Sequence, residues 1–218
     1  MAKAIVFDMD GVLFDTERIF EMVSLDISRE IGFENGEIAI KNCIGLNRES
    51  QRRYFEENHP EVDFEWFINR LSRDFTAWTD RNGIPLKAGT REILTWLREN
   101  MWKTAMATSS RMEAALHHLN MTGLREMFDE IITGDAVERG KPDPEIYLTA
   151  CKRLGADPAE TYAVEDSRNG LYSAHNAGMM AILVPDIIEP TEDMLEIAYR
   201  KEETLLDVME FLKRAENQ

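Results

Sequence analysis

The 218-residue chain sets 25 Lys and Arg against 41 Asp and Glu, a formal charge of −16, and 44% of it is hydrophobic. That apolar content suffices for one large domain, or for a core domain with a smaller insert. The charge excludes nucleic acid and membrane as partners, because no basic stripe reverses it locally, and any phosphate site must bring its own local cation.

In chain order, the apolar run Ala4-Ile5-Val6-Phe7 predicts a buried parallel strand that stops on Asp8 and Asp10, where open α/β sheets place their ligands. Alternation sends the two aspartates to one side of the backbone. Close carboxylates repel unless a cation lies between them or one keeps its proton, so the pair implies a hard metal, an acid–base division, or both. Gly11 allows the sharp departure that follows. Ile19, Val23, Ile27 and Ile31 then recur every fourth residue and predict an amphipathic helix ending at Gly32. Residues 48–58 and 64–81 also suit helices, and nothing strand-like occurs from 16 to 82.

From Gly83 the pattern alternates. Helices are expected at 90–99, 111–119, 144–154, 169–177 and 205–215, and strands at 103–108, 130–133, 161–164 and 180–184, which implies parallel βαβ units. The predicted fold is α/β: a Rossmann-like parallel-sheet core of residues 1–15 and 83–218, with a small all-helical domain, 16–82, inserted after the first strand. Such an insert would overhang the active face, with hinges near residues 15 and 83.

Four core strands end in polar groups: Asp8 and Asp10, Thr108 and Ser109, the loop Gly140-Lys141-Pro142, and Glu165 with Asp166. Parallel strands point their ends one way, so these groups can converge on one crevice. Ser110-Arg111-Met112-Glu113 fits a capping box opening the next helix, whose N–H groups, with the Thr108 hydroxyl and Lys141, make an anion site. A serine of this kind more often only caps. Asp143-Pro144 is equally an ordinary helix start, and Glu165-Asp166 suits either solvated turn residues or a Mg²⁺ site.

Cys43 and Cys151 show no metal or CxxC spacing and are expected to be free thiols. The four histidines, His59, His117, His118 and His175, join no motif and are expected on the surface or in packing, while the methionines fill apolar positions. Phe64, Trp66, Phe67, Phe75 and Trp78 have helical spacing and are expected to form the core of the insert. The start of the chain does not make a signal peptide and no long apolar stretch follows, so a cytoplasmic location is expected.

Together, Asp-Met-Asp-Gly-Val-Leu-Phe-Asp-Thr-Glu at 8–17, Ala-Thr-Ser-Ser at 107, Gly-Lys-Pro-Asp-Pro at 140 and Val-Glu-Asp-Ser-Arg-Asn-Gly at 164 resemble, in order and type, the four motifs of the haloacid dehalogenase superfamily. The branch resembled carries a helical cap after the first motif and contains β-phosphoglucomutases and small-molecule phosphatases. The resemblance implies that Asp8 is a nucleophile forming an aspartyl-phosphate and that Asp10 is the general acid and then the base. It further implies Mg²⁺ held by Asp8, the Asp10 carbonyl and Asp166 with Glu165 in or near its shell, and phosphate oxygens held by Thr108, Ser109 and Lys141. Asp10 argues against dehalogenation, since a halide leaves without a proton.

Within that branch, Gly45-Leu46-Asn47-Arg48-Glu49 resembles the specificity loop of β-phosphoglucomutases and makes Arg48 a candidate clamp for a distal phosphate. An arginine starting a helix can equally be a solvated one. The mutases carry a histidine near the hinge where this chain has Phe20. The function expected is a Mg²⁺-dependent phosphatase of a small phosphorylated metabolite, a sugar or polyol phosphate, working as a monomer. A phosphoglucomutase-type transfer is the first alternative, and a non-catalytic Mg²⁺- and phosphate-binding protein the second.

Overall fold

The computed structural model describes residues 3–43 and 48–216. The chain divides into two compact units, residues 1–15 with 85–218, and Thr16–Ile84.

In the larger unit, six parallel strands of the described residues form one sheet in the order β3-β2-β1-β4-β5-β6. These are β1 (Ala4–Phe7), β2 (Lys103–Thr108), β3 (Glu130–Thr133), β4 (Thr161–Glu165), β5 (Met180–Leu183) and β6 (Arg200–Lys201). All four residues of β1 are fully buried, as a central strand covered on both faces requires. The strand order reverses between β1 and β4, so the crevice at their carboxyl ends is the topological switch point of the sheet. Register delivers the chemistry there: Phe7 lies opposite both Met106 and Val164, which brings Asp8 level with the ends of β2 and β4. The Asp8 N–H donates to the Val164 carbonyl at 2.9 Å, so the aspartate backbone is still held by the sheet.

On one face, Ala4, Ala105, Ala107, Ala163 and Ala181 pack with Ala150 of α7 (Glu145–Leu154) and Ala174 of α8 (Arg168–Asn176). Small side chains on sheet and helix alike let these layers close tightly. The expected strands and main helices appear within a residue or three of the positions read from the pattern. A short helix at Glu192–Ile197 and β6 carry no sequence signal: β6 is two exposed charged residues at a sheet edge, with no apolar alternation.

Among the described residues, the elements of the smaller unit are all helices: α1 (Thr16–Glu30), α2 (Gly36–Cys43), α3 (Arg48–Asn58) and α4 (Phe64–Asn82). Ile19, Val23 and Ile27 of α1 pack with Phe67 and Phe75 of α4, and a second cluster joins Phe33, Ala39, Cys43, Phe55 and Phe64. The α4 N-terminus is capped by the Asp63 side chain, which accepts from the Trp66 N–H at 3.0 Å. Of the aromatic residues of α4, Phe64, Phe67 and Phe75 are core, whereas Trp66 is exposed.

Candidate active site

At the switch point, Lys141 ties three chain segments together. Its ammonium is buried and donates to Asp8 Oδ1 at 2.5 Å, Glu165 Oε1 at 2.6 Å and the Ala107 carbonyl at 3.0 Å. The residues read from motifs 1, 3 and 4 thus meet around one cation, with the end of β2 beside it. Burial alone would lower the Lys141 pKa, but Asp8 and Glu165 outweigh it and the ammonium is held charged. Burial pushes the Asp8 carboxyl up to about 8, with Glu165 and Asp10 adding to the rise and Lys141 opposing it.

Glu165 is wholly buried. Its Oε1 also accepts from the Tyr147 hydroxyl at 2.6 Å, and its Oε2 from Ser167 at 3.2 Å. Gly170 makes room for this carboxyl: a Cβ there would fall 2.0 Å from the Glu165 carboxyl carbon. Gly11, at φ +79°, does the same for Asp166, whose Oδ2 would lie 2.2 Å from an added Cβ.

Motif 2 differs from the capping-box expectation. Helix α6 runs Met112–Thr122, and Ser110 does not cap it; the Ser110 hydroxyl instead donates to Asp10 Oδ2 at 3.1 Å. The cap comes from across the sheet. Asp135, after β3, accepts from the Met112 N–H at 3.2 Å and from the Thr133 hydroxyl at 2.5 Å. A carboxylate satisfies a helix N-terminus better than a hydroxyl does, because it also meets the helix dipole, and Ser110 is thereby released to Asp10. Thr108 is buried and its Oγ1 accepts from the Ser110 N–H at 3.0 Å, which leaves the hydroxyl proton to donate elsewhere. Ser109 is exposed beside it.

Carboxylate oxygens of Asp8, Glu165 and Asp166 lie within 4.8 Å of one another. An all-oxygen set suits a hard cation such as Mg²⁺. The charge also fits, because Asp166 joins Asp8 and Glu165, which share the Lys141 ammonium, and Asp10 adds its charge beside Asp8. A dication near Asp8 would reverse the upward push on its pKa.

Arg48 belongs to the helical unit. It pairs with Glu65 at 2.9 Å, lies 5.3 Å from the Phe64 ring centre and is about half exposed, at 49%. Gly45, Leu46 and Asn47 of its motif lie outside the described residues. Phe20 stacks on Phe75 at 4.0 Å, nearly parallel, inside the same unit. Sequence reasoning passed over Tyr147, six residues after Lys141, and gave Ser110 the wrong task. His118, expected on the surface or in packing, is buried edge-on to Phe14, and Asp10 acts on it electrostatically, opposing the burial that lowers its pKa.

The sequence pattern of the family described as "haloacid dehalogenase-like hydrolase" matches residues 5–184. The chain belongs to this family. One relative of the hydrolase is a phosphorylated carbohydrates phosphatase of Thermotoga maritima, 32% identical over 216 residues covering 95% of this chain and 98% of that one. A β-phosphoglucomutase of Bacillus subtilis is 27% identical over 187 residues, 83% and 82% of the two chains. A solved family hydrolase from Deinococcus radiodurans R1, with bound phosphate and sodium, superposes with a TM-score of 0.78 at 26% identity over 98% of this chain and 96% of that one. Among the described residues, no helix is long and apolar enough to cross a membrane.

Proposed function

We propose that this hydrolase removes phosphate from a small phosphorylated sugar or polyol by way of an aspartyl-phosphate on Asp8. The observation that carries this reading is the buried Lys141, shared between Asp8 and Glu165 at the switch point of the sheet. A lysine so placed supplies the local positive charge that a phosphate ester needs in an acidic protein. The phosphorylated-carbohydrate phosphatase among the relatives supports the substrate class.

An Asp8 oxygen attacks phosphorus, and the bond from phosphorus to the sugar oxygen breaks. Asp10 protonates that leaving oxygen and afterwards takes a proton from the water that attacks the aspartyl-phosphate. The Ser110 hydroxyl on Asp10 Oδ2 fixes which carboxyl oxygen faces the substrate. Lys141 and the Thr108 hydroxyl hold phosphate oxygens as charge spreads over them in the transition state, with Ser109 beside them. Mg²⁺, held by Asp8, Asp166 and the Asp10 carbonyl, would neutralise part of that charge and favour the ionised nucleophile. Glu165, already bound through Oε1 to Lys141 and Tyr147, anchors the lysine from within reach of that metal. Arg48 is the proposed grip on a second anionic group of the substrate.

The experiment is phosphate release from a panel of sugar and polyol phosphates with and without Mg²⁺. Release that needs Mg²⁺, and that disappears in Asp8→Asn together with a phosphoenzyme that survives acid but is cleaved by alkali and hydroxylamine, supports the mechanism. Neither release nor phosphoenzyme with any substrate leaves only a binding protein. The β-phosphoglucomutase relative keeps phosphoryl transfer to a sugar hydroxyl as a second reading. Against it stands Phe20, whose ring stacks in an apolar cluster and carries no proton to exchange. Efficient conversion of β-glucose 1-phosphate to glucose 6-phosphate with little free phosphate would favour the mutase.

A further inference from the structure

We propose that Tyr147 is a positioning residue for the phosphate-binding lysine: by holding the Glu165 carboxylate from behind, it fixes the Lys141 ammonium between Glu165 and Asp8. The proposal rests on the phosphatase reading and adds to it a residue that touches neither phosphorus nor metal.

Tyr147 stands in the first turn of α7, wholly buried among the alanines of β1, β2 and β4. A phenylalanine would fill that space as well, so packing does not account for the hydroxyl. The hydroxyl donates to Glu165 Oε1 at 2.6 Å, the same oxygen that Lys141 reaches at 2.6 Å, and the Lys141 ammonium lies 5.1 Å from the tyrosine ring centre. Tyr147 therefore meets both members of the ion pair, one with its hydroxyl and the other with its ring face. Ser167 holds the opposite carboxylate oxygen at 3.2 Å, and the missing Cβ of Gly170 leaves just enough space behind the group.

The consequence follows from competition for one oxygen. With two donors on Oε1, Glu165 spends part of its accepting capacity on Tyr147 and pulls less strongly on the ammonium, which stays close to Asp8. With the hydroxyl gone, Lys141 becomes the sole donor to that oxygen. The carboxylate can then turn about Ser167 and draw the ammonium away from Asp8 and from a phosphate presented there.

The test is Tyr147→Phe, which keeps the ring and the packing. Orthophosphate affinity is measured by calorimetry in the presence of Mg²⁺, and kcat and KM on p-nitrophenyl phosphate, for the native protein, Tyr147→Phe, Glu165→Gln and the double variant. The expected result is weaker orthophosphate binding and a fall of about tenfold in kcat/KM, the size expected for one hydrogen bond to a charged group. In the Glu165→Gln background the same substitution should change neither quantity, because the charge that Tyr147 steers is absent. Native-like phosphate affinity and kcat/KM in Tyr147→Phe, or losses that simply multiply with those of Glu165→Gln, overturn the proposal while leaving an active phosphatase intact. A native protein that neither binds orthophosphate nor hydrolyses any ester overturns the phosphatase reading, and this inference with it.

Discussion

In the sheet unit the consequential charges are buried: Glu165 is fully enclosed, Lys141 is 7% exposed, and the two are held by each other, by Asp8 at the end of β1 and by Tyr147 of α7. In the helical unit the corresponding charges stand outside. Arg48, Arg52 and Glu65 each keep about half their side-chain surface, at 49%, 48% and 49%, and both arginines pair with Glu65 on the surface of that unit. Interactions in the enclosed site are strong because water does not screen them, and each removal leaves an unpaired partner. Exposed pairs are weak and replaceable. A single substitution in the first setting is therefore costly, whereas charges in the second can be exchanged with little consequence for stability.

The contrast can be broken most sharply at Asp10. Asp10→Asn should lower kcat/KM for alkyl phosphates by about a hundredfold to ten-thousandfold, the usual worth of a general acid. On p-nitrophenyl phosphate, whose leaving group needs no proton, the loss should be much smaller; equal losses on both would remove the acid role from Asp10. Stability gives the next test. Lys87 lies 2.5 Å from Asp186, whose side chain is 1% exposed and whose second oxygen has no partner among the described residues. Lys87→Ala leaves that carboxylate buried and uncompensated, and should cost about 3 kcal/mol in urea unfolding. Lys87→Ala with Asp186→Asn should recover part of the loss, and no recovery would mean that Lys87 acts through packing alone. At the small end, Glu65→Ala should leave the Tm unchanged although it removes two ion pairs, and a clear loss would place the helical unit's charges in the same class as the core's. Finally, burial pushes the thiols of Cys43 and Cys151 up to about 11. Both should remain protonated at pH 8 and resist a disulfide reagent until the protein unfolds; fast labelling of either in the folded protein would show that its unit opens locally.

Much of the site was legible because a parallel sheet converts chain order into geometry. Asp8 and Glu165 fall at the carboxyl edge of the sheet once strands at 4–7 and 161–164 are recognised, Lys141 lies in the connection that follows the strand at 130–133, and parallel pairing aims those edges one way. The part that was not legible depends on pairs distant in sequence. Asp135 and Met112 come from different βα connections, so local reasoning gave the α6 cap to Ser110, the nearest residue able to cap. Tyr147 belongs to none of the motifs, and only the packing of α7 against β2, β3 and β1 turns its hydroxyl toward Glu165.

By itself, then, the sequence determined the α/β class, the positions of the core strands and the convergence of Asp8, Asp10, Thr108, Lys141, Glu165 and Asp166, because hydrophobic periodicity and strand direction are local properties that add up along the chain. Tertiary structure alone decided which donor serves which acceptor: Lys141 between Asp8 and Glu165, Tyr147 behind Glu165, Ser110 on Asp10, and Asp135 on α6. Those choices are made in competition among groups that only folding brings within 3 Å or so, and no spacing along the chain records the outcome.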